Sequence, residues 1–321
     1  MGRFPVFDLG AFEAANAAQR RRLGEDVDAI CRSTGFLAIA NHGVAESVIA
    51  AQWAATRAFF DLPAAGKAAA AVLRPGYPYG WLATGAEALA RSRGDDTPPD
   101  LKESFNGGPA APPPGMVDAD ALSFCYAATP FPAEPAGFRQ AWQAYYAAME
   151  DLARRIMRLF AVALGLDDDY FEPFIDRPIS ALRALNYPAT DRPLAAGQMR
   201  AGAHTDYGSL TILLPQAGSR GLQILSPQGT WIEVEPADGA FVINLGDLMQ
   251  RWTNDRWRST LHRVVADGRA ERRQSLAFFH QPNWFAEIAC LDACLAPGER
   301  PKHEPVLSGP YLMGKFRSTT M

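Results

Sequence analysis

The chain is poor in histidine and cysteine, and it has no long apolar run and no concentrated block of one charge. Its four cysteines, Cys31, Cys125, Cys290 and Cys294, are too few and too scattered among 321 residues for a disulfide framework. Cys290 and Cys294 could share a helix face or a metal, although small core residues are the simpler reading. No stretch offers 18 consecutive apolar residues, which excludes a membrane-spanning helix. The start, Met1 to Val6, lacks the apolar core of a signal peptide, and Val6 stands where a myristoylation signal wants Ser or Thr. Lys and Arg number 31 against 35 Asp and Glu, and the densest basic stretch, Arg20 to Arg22, falls inside a helical pattern. Phosphate backbones need a concentrated basic face, so nucleic acid is not an expected partner. There is no Gly-x-Gly-x-x-Gly, no phosphate loop and no Gly-x-Ser-x-Gly. A soluble cytoplasmic protein is the expectation. The sequence says nothing about oligomeric state.

What is present is ordinary globular composition, with 48% hydrophobic and 21% charged residues, in a chain long enough to bury a sizeable core. Phe4 to Leu9 and Phe36 to Ala40 read as short strands. Apolar residues at helical spacing predict helices over 16–34, about 45–60 and about 136–165, the first ending at Thr34-Gly35. The prolines at 98, 99, 109 and 112–114 predict a long irregular loop over 97–115. After residue 180 the pattern changes to short β-branched and aromatic runs: 180–187, 210–214, 222–225, 230–234, 240–244, 262–265 and 274–280. Many short strands at this spacing predict a sandwich or a jelly-roll barrel. The fold class is therefore α+β, with helices largely at the front and a jelly-roll core behind. The expected division is a helical and strand region over 1–115 and the core, with its long preceding helix, over 116–321.

The five histidines make their neighbourhoods informative. In His204-Thr205-Asp206 an imidazole and a carboxylate stand at i and i+2, which on a strand point to the same side. A pair of that kind also fits an ordinary surface or core contact. As a metal site it asks for a third ligand from a later strand. His262, 56 residues beyond Asp206 and just after a turn at Asn254-Asp255, is the natural choice (262 − 206 = 56). Two histidines and one carboxylate on one face suit iron(II) and leave coordination positions open. Eleven residues on, Arg273 and Ser275 again stand at i and i+2. A guanidinium and a hydroxyl on one side can clasp a carboxylate, as needed to anchor a dicarboxylate whose other end chelates the metal. Taken alone, a surface arginine explains Arg273 equally well.

The order His-x-Asp, His262-Arg263-Val264, Arg-x-Ser resembles the isopenicillin N synthase-like family of 2-oxoglutarate- and iron(II)-dependent dioxygenases. Further landmarks are similar to the family's, in its order: Gly35-Phe36-Leu37, Asn41-His42-Gly43-Val44, Gly76 to Gly80, Asp100 to Phe105, Leu185 to Pro188, Gly221 to Leu225, Gly229 to Val234 and Gly239 to Asp247. The likeness covers about residues 3 to 285. It implies that His204, Asp206 and His262 hold iron(II), and that Arg273 and Ser275 bind the distal carboxylate of 2-oxoglutarate. Tyr187, with Asn186 beside it, would contact the carboxylate end nearer the metal; a core tyrosine is the alternative. Phe279 continues the alternation of Arg273, Ser275 and Ala277 and is expected against the prime substrate, or in the core.

The implied chemistry is oxidative decarboxylation of 2-oxoglutarate by dioxygen to succinate and carbon dioxide. It is coupled to hydroxylation, desaturation or ring closure of a small organic molecule. Tyr77, Tyr79, Lys102 and Phe105 are candidate substrate contacts. His42 reads as structural, His280 as facing away from the metal, and His303 as exposed. Two alternatives stay open: an iron oxidase of the isopenicillin N synthase kind that uses no 2-oxoglutarate, and a non-catalytic metal-binding jelly-roll.

Overall fold

Strand alternation organises the molecule. The computed structural model describes residues 4–90, 94, 98–189, 198–266 and 271–320. In chain order the front half comprises β1 (Val6–Asp8), α1 (Leu9–Ala14), α2 (Ala17–Ser33), β2 (Phe36–Ala40), α3 (Glu46–Asp61), α4 (Ala64–Ala68), β3 (Gly80–Leu82) and β4 (Glu103–Gly107). Then come α5 (Ala119–Phe124), α6 (Phe138–Ala163), α7 (Glu172–Ile175), β5 (Ala181–Tyr187), β6 (Ala201–His204), β7 (Leu210–Pro215), β8 (Leu222–Leu225) and β9 (Trp231–Glu233). The chain finishes with β10 (Phe241–Leu245), α8 (Asp247–Trp252), β11 (His262–Val264), β12 (Arg273–His280), a β13–β14 hairpin (Glu287–Ile288, Val306–Leu307) and α9 (Ser308–Thr320).

Eight strands form one sheet in the order β1-β2-β10-β7-β12-β5-β4-β3, and β6-β11-β8-β9 form a second. The two make the jelly-roll, so the fold is α+β with helices against the outer face of the larger sheet. Strands β1 to β4 precede residue 115 and yet lie in the same sheet as β5, β7, β10 and β12. Residues on either side of that point thus share one sheet and one core.

The helices pack by the usual periodicity. Along α6, Phe138, Trp142, Tyr145, Met149, Leu152, Ile156 and Phe160 recur at three- and four-residue spacing and are buried. They meet alternate residues of the larger sheet, among them Leu182, Ala184, Leu276 and Phe278. Tyr146 and Phe278 pack edge to face at 5.1 Å. The start of α2 is fixed by a reciprocal cap between Asn16 and Gln19. With one face of β5 and β12 committed to this core, their remaining residues must face the space between the sheets.

The predicted loop over 97–115 contains a strand. The prolines flank the span 100–108, which is proline-free, so β4 can pair with β5 through Glu103↔Asn186 to Gly107↔Leu182. Residue 97, at the start of that loop, lies outside the described residues. Among the described residues no helix is long and apolar enough to cross a membrane. All four cysteines are free thiols.

Candidate active site

His204 closes β6 and His262 opens β11, and the two are direct partners in that antiparallel pair. Their rings lie 4.3 Å apart. Asp206 sits two residues past the end of β6, in the link to β7. The i and i+2 relation is therefore made across a strand end and not within a strand. One oxygen of Asp206, Oδ1, lies 3.8 Å from His204 Nε2 and 3.7 Å from His262 Nε2. The other, Oδ2, accepts from Thr211 Oγ1 at 2.5 Å and from Asn244 Nδ2 at 2.7 Å. The larger sheet thus grips one oxygen and leaves the other to the site.

Both imidazoles are held in one tautomer. His204 Nδ1 lies 2.7 Å from the Gly202 carbonyl and His262 Nδ1 3.1 Å from the Thr260 carbonyl. A carbonyl only accepts, so Nδ1 carries the proton and each Nε2 lone pair faces the other ligands. Burial, helped by His262, pushes His204 well below the ordinary imidazole value. Burial raises the Asp206 carboxyl, but His262 and His204, with the bonds from Asn244 and Thr211, outweigh that and hold it below the ordinary range. Two imidazole nitrogens and one carboxylate oxygen, all within 4.8 Å, fit a divalent metal with room for further ligands. Among the described residues this is the one such cluster.

The triad opens into a cavity of about 430 Å³ between the sheets. On its floor, β12 presents Arg273, Ser275, Ala277 and Phe279, and β5 presents Ala181, Arg183, Leu185 and Tyr187. Arg273 pairs with Tyr187 and Ser275 with Leu185 across these strands. The Arg273 guanidinium sits 5.0 Å above the Tyr187 ring centre. His204, Asp206, His262, Arg273, Ser275, Tyr187 and Phe279 therefore all border one space.

Asn186 does not. Next to Tyr187 on a strand, it must point to the other face. There Asn186 Nδ2 donates to Glu103 Oε1, and its Oδ1 accepts from Arg272 and Gln274. Glu103 also takes bonds from Lys67 and Trp81. Asn186 belongs to this buried polar network and is corrected from a co-substrate contact to a structural residue. Phe105 is likewise a core residue, packed edge to face on Trp142 at 4.9 Å. Lys102 is buried against Asp100 at 2.6 Å and Glu87 at 3.4 Å, outside the cavity lining. Tyr77 and Tyr79 do line the cavity, but their hydroxyls are committed to the carbonyls of Ala128 and Cys125.

The other histidines lie elsewhere. His42 bridges Val44 and Gly239, and His280 faces the helical side, within 3.1 Å of Ser180 Oγ. His303 is half-buried and pairs with Asp255 at 2.8 Å, in place of the exposure expected of it. Thr211 and Asn244, the grips on Asp206, stand in predicted strands but belong to no motif that marks them as site residues. Arg183, Glu87, Asn106 and Gln281 also line the cavity, without a sequence signal of their own. Leu312 and Phe316 of α9 close part of the opposite wall, and this C-terminal helix was not foreseen either.

Known proteins share this arrangement. The 2OG-Fe(II) oxygenase superfamily matches residues 178–282, and the family described as non-haem dioxygenase in morphine synthesis N-terminal matches residues 4–132. The validamycin A dioxygenase of Streptomyces hygroscopicus subsp. limoneus is 35% identical over 302 residues, covering 92% of this chain and 82% of that one. A crystal structure of a full-length Neurospora crassa protein with alpha-ketoglutarate superposes with a TM-score of 0.87 at 30% identity, covering 98% and 96% of the two chains. The same protein with alpha-ketoglutarate and thymine gives 0.84 at 29%, with the same coverage. The chain belongs to the 2-oxoglutarate- and iron(II)-dependent oxygenase superfamily and is a dioxygenase using iron(II), 2-oxoglutarate and dioxygen.

Proposed function

We propose that Arg273 and Ser275 clasp the distal carboxylate of 2-oxoglutarate, and that Tyr187 borders the co-substrate on the same side. One observation carries this reading: Arg273, Ser275 and the triad line a single cavity. A guanidinium and a hydroxyl side by side match a carboxylate through charge-assisted hydrogen bonds. The Tyr187 ring beneath the Arg273 guanidinium limits how that side chain can swing. When bound, iron(II) supplies the open coordination needed to bring 2-oxoglutarate and dioxygen together. The protein's own part is to fix two Nε2 lone pairs and one carboxylate oxygen, to orient the co-substrate and to shield the reaction from water.

The overall change balances as one C–H bond, one 2-oxoglutarate and one dioxygen giving one C–OH, succinate and carbon dioxide. Desaturation or ring closure would release water instead. The cavity volume of about 430 Å³ suits a small organic molecule beside the co-substrate. The thymine held by a protein of the same fold supports that size class. Phe279 supplies an aromatic surface for this molecule. We place the protein in the cytoplasm, in keeping with its free thiols.

The test is anaerobic titration of the iron-loaded protein with 2-oxoglutarate, followed by exposure to oxygen. A weak visible charge-transfer band on titration and succinate release on oxygenation are expected. Absence of both overturns the reading, including the assignment of the clamp.

A further inference from the structure

The floor of the cavity has a second polar region that the metal centre and the clamp leave unused. Leu213, Ala277, Arg183 and Asn106 are successive partners across β7, β12, β5 and β4, so they form one row on the cavity face. Arg183 lies four residues from Tyr187 along β5, so its rung is roughly 13 Å from that of Arg273 and about half as far from that of Ser275. The co-substrate anchored at Arg273 and the group that meets Arg183 are therefore at different ends of the space.

Arg183 is held in place. Its Nη1 and Nη2 donate to Glu87 at 3.2 and 3.1 Å, and its Nε donates to Asn106 Oδ1 at 2.6 Å. A guanidinium has five N–H groups; these three are engaged, leaving two. Two buried amide atoms beside the same cavity also have no partner among the described residues. They are Asn106 Nδ2 and Gln281 Oε1, in residues each 4% exposed. Gln281 borders another part of the space, four residues beyond the Ala277 partner of Arg183. A Cβ on Gly208, two residues beyond Asp206, would come within 2.5 Å of its amide. Buried polar atoms left without partners are costly and rare, so these point to a ligand that satisfies them.

The charge around Arg183 is already balanced. Glu87 receives Arg183 and also lies 3.4 Å from Lys102, which pairs with Asp100 at 2.6 Å. Two cations and two carboxylates cancel. Arg183 and Lys102 overcome the burial of Glu87 and hold its carboxyl at about 2, so it is ionised. A second carboxylate arriving at Arg183 would meet Glu87 as a like charge away from water. Arg74 also borders the cavity, over the Tyr77 ring, but it is exposed and its charge is screened by solvent. Much of the remaining wall is apolar, including Leu82, Leu89, Leu213, Val264 and Phe279.

We propose that Arg183 and Asn106 form a specificity site for the prime substrate, and that this substrate is a neutral molecule carrying an amide-type carbonyl. Arg183 and Asn106 donate to the carbonyl oxygen. Glu87 is a positioning residue: it aims Arg183 and cancels its charge, which turns the site away from carboxylates. The inference rests on the dioxygenase reading above and narrows its substrate class.

The probes are matched amide and acid pairs, phenylacetamide with phenylacetate and cyclohexanecarboxamide with cyclohexanecarboxylate. Binding to the anaerobic iron(II)- and 2-oxoglutarate-loaded protein is measured by calorimetry. The amide of each pair is expected to bind about tenfold or more tightly than its acid. Arg183→Met should weaken the amide by about tenfold while 2-oxoglutarate affinity stays within about twofold. Glu87→Gln leaves Arg183 uncompensated and should move the preference toward the acid by about tenfold or more. An acid that binds as tightly as its amide overturns the proposal, as does an Arg183→Met protein that keeps amide affinity, or failure of both members of every pair to bind. Absence of the 2-oxoglutarate band in the unsubstituted protein defeats the parent reading instead, so the two failures are distinguishable. That band and the far-ultraviolet spectrum report whether each variant has folded.

Discussion

His204 and His262 are direct partners across the β6–β11 pair, and Asp206 enters between them from just beyond the strand end. The spacing of the two imidazoles is thereby fixed by backbone hydrogen bonds. The carboxylate is fixed separately, by Thr211 and Asn244 from the opposing sheet.

That division predicts two grades of damage at the metal. Asp206→Ala removes a ligand and should abolish iron retention and activity together. Asn244→Ala keeps all three ligands but frees Asp206 Oδ2, and should weaken iron binding about 10- to 100-fold. Chelator competition measures both, and an Asp206→Ala protein with full activity would refute the assignment.

At the clamp, Arg273→Gln should raise the dissociation constant for 2-oxoglutarate about 30- to 5000-fold, the equivalent of roughly 2–5 kcal/mol for a buried charge pair. Ser275→Ala removes one neutral donor and should cost only about fivefold. Anaerobic titration with the Arg273→Gln protein reads this directly; unchanged 2-oxoglutarate affinity there rules out the clamp.

Asn186→Ala should behave as a stability variant. It leaves Glu103, Arg272 and Gln274 short of a partner and should cost about 1–3 kcal/mol, visible as a lower melting temperature. Affinity for 2-oxoglutarate should hold within about twofold. A selective loss of co-substrate binding at unchanged stability would restore Asn186 to the site.

Acid sensitivity should be traceable to Glu87. Burial works against its carboxylate, but Arg183 and Lys102 keep it ionised down to about 2, against an ordinary 4.5. Its contribution is thus complete above pH 4.5 and is lost as pH falls from there toward about 2, at most about 3 kcal/mol. In Glu87→Gln this part of the acid dependence disappears, so the urea midpoints of the two proteins should converge as pH drops. Parallel curves through that window would show that Glu87 contributes nothing there.

Much of this architecture is legible in the sequence, because period-2 and period-3.6 patterns report which faces are buried. β2 and β8 occupy the predicted residues, and β5, β7, β10, β11 and β12 lie within a residue of them. β4 was hidden by prolines that surround it without interrupting it. α9 was hidden by Gly309, Pro310 and Gly314, which read as helix-breaking. The site was legible where residues share a strand face, as from Arg273 to Phe279. Asn186 was misplaced because the same alternation went unapplied to β5, where adjacent residues cannot both face inward. The Arg183–Glu87 pair could not be read at all, since 96 positions separate its members and only the tertiary fold brings them together.

The pairing of β5 with β12 has a consequence for how such a protein changes substrates. Arg273↔Tyr187 and Ala277↔Arg183 are rungs of one ladder, so the two ligand ends are separated by a whole number of rungs. Exchanging the side chains at the outer rungs, 181, 183, 277 and 279, would redraw the substrate end and leave the co-substrate end where it is. The ladder works as a fixed ruler, with one end reserved for a common reagent and the other open to variation.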